Sequence, residues 1–518
     1  MKPERLTRRS FLATGALAAG ALTAYGRAGA SLARAAAGDH APSAAQWAAL
    51  RHSLAGTLVL PSDSAYPQAK LVYDLRFEGA RPAAVAYPRS STDVQRLVDF
   101  ARSHALAPIP RCGGHSYAGY STGDGLVIDV GAMNAVTVSG SHATVGAGTR
   151  LVDMYSALAQ HGVLVPGGSC PTVGISGLAL GGGIGVLGRK YGLTADALRG
   201  LTIVTADGSV RNADASSHSD LYWASRGGGG RNFGIATTLH FNARPLPPLA
   251  LFTLTFPWAA AGDLLGAWME WVAHAPDELW SNCLLLSAGS SGLIARTTGV
   301  YVGSSTALAT LVARLRSAVG ATPTSSSLSS ASYLQAMLIE AGCAEITLAQ
   351  CHIQAPGTEG TLPRTAFLAK SAYFAKRPPA AGIAAVTDAV TSFQSELPAL
   401  GGGLAFDSYG GAINAVAAGA TAFVHRDALC QLQMSASLGP STPQATADAA
   451  QAWLNRSAAK LNPYTNGQAY QNYIDPTLPN SLQAYYASNL PRLRRVKGVY
   501  DPDDVFRFAQ SIPLPAKT

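Results

Sequence analysis

The chain has 518 residues, 48% hydrophobic and 13% charged, with 54 glycines and a formal net charge of +8. That length exceeds one ordinary core, so two or more lobes are expected, and the low charge excludes a disordered chain. Residues 1–37 hold six basic residues and one acidic, leaving 32 basic against 29 acidic, a net of +3, so charge gives no argument for a nucleic-acid partner.

Thr7-Arg8-Arg9-Ser10-Phe11-Leu12 precedes an Ala/Gly-rich apolar run from Ala13 to Ala24. Small residues suited to cleavage follow, as Ala33-Arg34-Ala35 or Ala35-Ala36-Ala37. This is the layout of a secretory signal, and the paired arginines point to twin-arginine export. That route moves folded proteins, which suits a cofactor inserted before export. The apolar run is too short for a membrane anchor, and no later segment offers the roughly 18 uninterrupted apolar residues of a membrane helix. The expected location is extracellular, with no membrane span.

After this signal (1–37) the expected units are a first domain over 38–245, a second over 246–465, and a closing segment over 466–518. Residues 38–80 read as a lead-in with short helices. Ala84-Val85-Ala86-Tyr87 reads as a strand. Ser91 or Thr92 is placed to cap a helix whose apolar positions are Val94, Leu97, Val98 and Ala101. Ala107-Pro108-Ile109-Pro110 is extended and delivers the turn Arg111-Cys112-Gly113-Gly114-His115. Strand-like runs follow at 125–129 and 143–145, then a helix from Arg150 to Gln160. A second glycine-rich passage runs from Pro166 to Gly192 and includes Cys170. Leu201 to Ala206 reads as a buried strand, with Asp207-Gly208 as a hairpin turn. A third cluster, Arg226 to Gly234, ends the region. Arg244-Pro245-Leu246-Pro247-Pro248 reads as a domain boundary. Beyond it, helices such as Ala260–Ala275 alternate with strands such as Leu404–Tyr409 and Ala428–Met434. The fold class is α+β, with an antiparallel sheet covered by helices in the second lobe.

Runs of three and four glycines beside His and Arg exceed what ordinary turns need. They allow close backbone approach and expose N–H groups that suit a pyrophosphate. Gly183-Ile184-Gly185-Val186-Leu187-Gly188 matches the dinucleotide G-x-G-x-x-G pattern, but it lacks a preceding β-branched strand and a following helix, which argues against a nicotinamide cofactor.

The six cysteines are Cys112, Cys170, Cys283, Cys343, Cys351 and Cys430. The plainer reading is three disulfides, and Cys343 and Cys351 are close enough in sequence to pair. There is no CxxC, so a metal site is not expected.

Taken in order, Arg111-Cys112-Gly113-Gly114-His115-Ser116-Tyr117-Ala118-Gly119, Cys170-Pro171-Thr172-Val173-Gly174, Tyr470-Gln471-Asn472-Tyr473 and Tyr500-Asp501-Pro502 resemble the berberine-bridge-enzyme-like branch of the vanillyl-alcohol-oxidase flavoproteins, with their PCMH-type FAD-binding domain. The resemblance covers nearly the whole chain after residue 37. It implies FAD held by two covalent bonds, one from His115 to the flavin 8α carbon and one from Cys170 to C6. Each has a plainer reading: a hydrogen-bonded loop histidine and a disulfide. The resemblance also implies cofactor contacts from Arg111, Cys112, Gly113, Gly114, Ser116, Val173, Gly174, Ser176, Gly177, Gly181, Gly185 and Ile235. Val173 resembles an oxygen gate, which suggests an oxidase that reduces molecular oxygen to peroxide. Tyr473 matches the family's base position, with Tyr117, Gln431 and Gln433 as substrate-facing partners. A tyrosine, ordinarily near pKa 10, needs a nearby cation or donors to act as phenolate. Ile184 stands where many relatives carry an active-site tyrosine, Asp504 where Asn is frequent, and Ala487 where Gly is frequent. The expected reaction is hydride transfer from a hydroxyl or hemiacetal carbon of a sugar or glycosylated small molecule. The alternative is oxidative tailoring of a secondary metabolite, including C–C or C–N bond changes or desaturation.

Overall fold

The computed structural model describes residues 41–516, so the export signal expected over 1–37 lies outside the described residues. Strands Thr57–Val59, Ala84–Tyr87, Leu126–Asp129 and Pro108–Arg111 form one sheet in that order; the first pairs antiparallel and the other three run parallel. Parallel strands are covered on both faces, and all four residues of Leu126–Asp129 are buried. The helix Ser91–Ser103 turns Val94, Leu97, Val98 and Ala101 into the core, as their spacing predicts. Its cap is Ser90, one residue before the sequence reading, because the Ser90 hydroxyl accepts from the Asp93 amide. The Asp93 carboxylate accepts instead from the amides of Ala55, Gly56 and Arg89 and pins the lead-in to this helix.

A second sheet has five antiparallel strands in the order Val136–Ser139, His142–Gly146, Ile235–Asn242, Leu198–Val204 and Val210–Asp214. The turn between the last two carries Gly208 at φ +77, as the Asp-Gly pair predicts. The stretch around Gly183 is not a dinucleotide-binding unit. The helix Ile175–Leu180 precedes it in place of a strand, and a four-residue helix, Gly188–Tyr191, follows.

Past the short strand Arg244–Pro245, seven antiparallel strands form the third sheet, in the order Ser325–Ala331, Leu249–Phe256, Leu293–Val302, Leu279–Ala288, Gly401–Ser408, Cys430–Leu438 and Ala366–Phe374. Alternation gives the last two strands two different faces. Leu432, Met434 and Phe374 join Trp268, Phe393 and Trp453 of the helices Ala261–Ala273, Ala380–Glu396 and Gln444–Leu461 in one apolar core. Phe367 and Gln433 face the opposite way, into a cleft shared with the first two sheets.

The chain then returns. The Tyr470 amide donates to Ser371 Oγ of the third sheet, and the Asn472 side chain donates to the Leu178 carbonyl of the first lobe. Lys497 is fully buried, with Nζ 2.6 Å from Asp501 and 2.7 Å from the Phe506 carbonyl, which fixes the closing motif. Ala487 holds φ +40 and ψ −121, a conformation suited to glycine. Such strain costs on the order of 1–3 kcal/mol. Ala487→Gly is therefore expected to raise unfolding stability by about 1 kcal/mol after the entropy glycine adds to the unfolded chain. Urea titration checks this, and a fall in stability contradicts it.

Candidate active site

The strand Pro108–Arg111 ends at the loop carrying His115. Arg111 is buried: its Nε lies 2.5 Å from Asp129 on the neighbouring strand, and its terminal nitrogens donate to the carbonyls of Ala69 and Leu71. The side chain thus anchors the loop from beneath. A Cβ on Gly113 would stand 2.5 Å from the Gly174 nitrogen, and one on Gly174 would stand 1.9 Å from Cys112 Sγ. Both residues must be glycine for the two loops to touch. Gly114 adds the left-handed turn, at φ +70.

That contact sets His115 beside the loop after Cys170. His115 Nε2 lies 2.9 Å from Thr172 Oγ1, and the Tyr73 ring stacks on the imidazole at 3.9 Å. Burial, with a smaller contribution from the Arg150 guanidinium, lowers the His115 pKa to about 3. The ring is neutral at ordinary pH, with Nε2 engaged by Thr172. His115 and Cys170 line the same cleft. Cys112, Gly113, Gly114 and Ser116 line it from one loop, and Val173, Gly174, Ser176 and Gly177 from the other, with Ile235 on the second sheet. Among the described residues the one disulfide joins Cys343 to Cys351; Cys112, Cys170, Cys283 and Cys430 are thiols, so the three-disulfide reading is corrected.

In the same cleft, Tyr117 and Tyr473 stack with centroids 5.1 Å apart and planes 6° from parallel. Gln433 Nε2 donates to the Tyr117 hydroxyl at 3.0 Å, and Phe367 packs edge-on against the Tyr117 ring. Tyr470 meets the Tyr473 ring edge-on, and its hydroxyl accepts from the Gly183 amide and from Asn472 Nδ2. Burial raises the Tyr470 pKa far above the phenol range, so it remains neutral and acts as a scaffold. Ile184 completes an apolar wall.

Three sequence-predicted positions lie off the cleft lining. Gln431 shares the face of Gln433 but sits one residue pair further along its strand, in register with Tyr373 and Asp407 and fully buried, with Nε2 on the Leu432 carbonyl. A Cβ on Gly181 would stand 2.0 Å from Asn472 Oδ1, and one on Gly185 would stand 1.7 Å from the Gly167 carbonyl. Gly181 makes room for the Asn472 side chain, and Gly185 for the backbone at Gly167. The sequence reading missed Tyr73, Thr172, Phe367, Arg231 and Phe508, of which Tyr73, Phe367, Arg231 and Phe508 line the cleft. Arg231 is the one with a legible signal, a cation closing a glycine run.

The donor set fits FAD. The neutral imidazole and the thiol both line the cleft, and the glycine loops bound it. Cβ atoms built on Gly177 and Gly230 meet nothing within 4 Å, so both open onto cleft space. Gly177→Leu is expected to fold, because glycine within the helix Ile175–Leu180 costs about 1 kcal/mol relative to alanine. The same side chain would occupy cofactor room, so the absorbance ratio of flavin to protein is expected to collapse. Full flavin content in this variant contradicts the assignment of the cleft.

Comparison with known proteins agrees with this geometry. Residues 82–214 match the FAD binding domain family, and residues 469–513 match the berberine and berberine-like family. The FAD-linked oxidoreductase YgaK of Bacillus subtilis is 31% identical over 468 residues, 89% of this chain and 97% of the relative. The BBE-like 1 protein of Physcomitrella patens superposes with a TM-score of 0.82 at 32% identity, covering 91% of this chain and all of that one. The xylooligosaccharide oxidase of Thermothelomyces thermophilus is 29% identical, over 83% of this chain and 87% of its own. The chain belongs to the berberine-bridge-enzyme-like family of FAD-linked oxidoreductases, with its PCMH-type two-domain fold. It is an FAD-dependent oxidoreductase, similar to relatives that include oligosaccharide oxidases. No helix among the described residues is long and apolar enough to cross a membrane.

Proposed function

We propose that the protein is an exported oxidase of a sugar or glycosylated small molecule, with FAD attached at both His115 and Cys170. The observation that carries the reading is the stacked Tyr117–Tyr473 pair, tethered by Gln433 and placed in the same cleft as His115 and Cys170. Bound there, FAD would supply a two-electron acceptor for a hydride from the substrate carbon, with oxygen as the terminal oxidant. Tyr473 takes the hydroxyl proton as the hydride leaves, which lowers the barrier by general base catalysis. Gln433 holds the Tyr117 hydroxyl as an acceptor, so that Tyr117 orients the substrate hydroxyl. Ile184 supplies no proton acceptor, which leaves the base role to Tyr473. Val173, on the cleft lining, would leave a path for oxygen to a flavin held there.

Support for a saccharide comes from the xylooligosaccharide relative and from the glucooligosaccharide oxidase of Acremonium strictum, whose crystal structure reveals a novel flavinylation and which superposes with a TM-score of 0.81 at 25% identity. Peroxide release with a panel of mono- and oligosaccharides tests this. Steady release with one of them is expected; none from any sugar, alongside flavin that substrate never bleaches, contradicts it. Export follows from Arg8-Arg9, and a Lys-Lys pair there is expected to retain the protein inside the cell.

A further inference from the structure

Arg231 carries a half-buried charge that the protein leaves without a counter-ion. It closes the glycine run 227–230 and holds φ +61, a backbone conformation that non-glycine residues adopt only at a cost. One terminal nitrogen donates to the Tyr120 carbonyl at 3.1 Å, and the guanidinium lies 5.7 Å from the Phe508 ring centroid. Its Nε is buried with no hydrogen-bond partner among the described residues. Burial lowers the Arg231 pKa to about 10, and no carboxylate contributes to the shift. Elsewhere in the chain Arg111 and Arg426 each hold a carboxylate, Asp129 and Asp196. A partly desolvated cation without a counter-ion is stabilised when something anionic meets it.

Arg231 lines the flavin cleft beside Gly230, Gly234 and Ile235. Arg111 is the other arginine on the lining, and its donors are committed to Asp129, Ala69 and Leu71. We infer that Arg231 is the cationic partner of the FAD diphosphate. The diphosphate is the part of oxidised FAD that is charged at neutral pH, and a guanidinium forks onto phosphate oxygens. The amides of Gly227, Gly228 and Gly229 already donate to the carbonyls of Leu180 and Ala224, which leaves the Arg231 side chain to meet the anion. The strained backbone is then explained as what aims the side chain into the cleft. The inference rests on FAD occupying this cleft.

The test uses the full chain carrying His115→Ala and Cys170→Ala, so that flavin binds reversibly, with Arg231→Met added. Quenching of flavin fluorescence gives the dissociation constants of FAD and of riboflavin, which lacks the diphosphate. Arg231→Met is expected to weaken FAD by about 10- to 100-fold, the range of a charge-assisted hydrogen bond, and to leave riboflavin unchanged. Arg231→Lys is expected to recover part of the loss. Without flavin, the Met variant is expected to melt no lower than its parent, because a half-buried charge without a counter-ion has gone. Equal losses for FAD and riboflavin, or no loss for either, would overturn the inference. A parent that binds neither flavin would overturn the FAD reading itself.

Discussion

Alanine at both His115 and Cys170 is expected to leave a protein whose yellow colour moves to the supernatant on acid precipitation, while either single substitution keeps the colour in the pellet. The reason is geometric. The two side chains line one cleft, and their loops are locked together where Gly113 meets Gly174. A covalent bond survives denaturation, whereas hydrogen bonds and the arginine contact do not. The His115 single variant also removes a neutral imidazole with one nitrogen uncommitted, so its flavin is held by Cys170 alone. Acid-resistant flavin in the double variant would place the attachment on other residues.

Tyr473→Phe is expected to slow anaerobic reduction of the flavin by about 100- to 10,000-fold, the usual contribution of a positioned base. The aromatic stack on Tyr117 and the edge contact with Tyr470 need only the ring, so flavin content and thermal stability are expected to hold. Tyr117→Phe loses the acceptor of the Gln433 amide and is expected to show a smaller loss, visible in KM as well as in the rate. Stopped-flow reduction separates the two. A Tyr473→Phe variant that reduces as fast as the parent would remove Tyr473 from the proton transfer.

The flavin side of the site was legible because its chemistry is local. A strand, a turn and a histidine are consecutive, and Gly113, Gly114 and Gly174 announce a close backbone approach that the structure contains. The substrate side was legible only in direction. Period-two alternation assigns Gln431 and Gln433 to one face, but it carries no depth, and one residue pair separates a cleft-lining amide from a fully buried one. Tyr73 and Phe367 were invisible because they reach the site from segments without a motif, and each is selected by the shape of a neighbour: the His115 ring for one, the Tyr117 ring for the other. Gly181 and Gly185 read as cofactor glycines, but what meets them is protein: the Asn472 side chain for one and the Gly167 carbonyl for the other. The cap at Ser90 shows a related limit. Ser90, Ser91 and Thr92 are equally able caps in isolation, and the choice falls to the position that lets Asp93 reach the lead-in.

Whether one flavin joins the two loops is answered most directly by mass spectrometry of a proteolytic digest of the purified holoprotein. The expected result is a single species containing the peptide of His115, the peptide of Cys170 and the mass of one FAD. Recovery of both peptides unmodified, or of Cys170 in a disulfide, would contradict it.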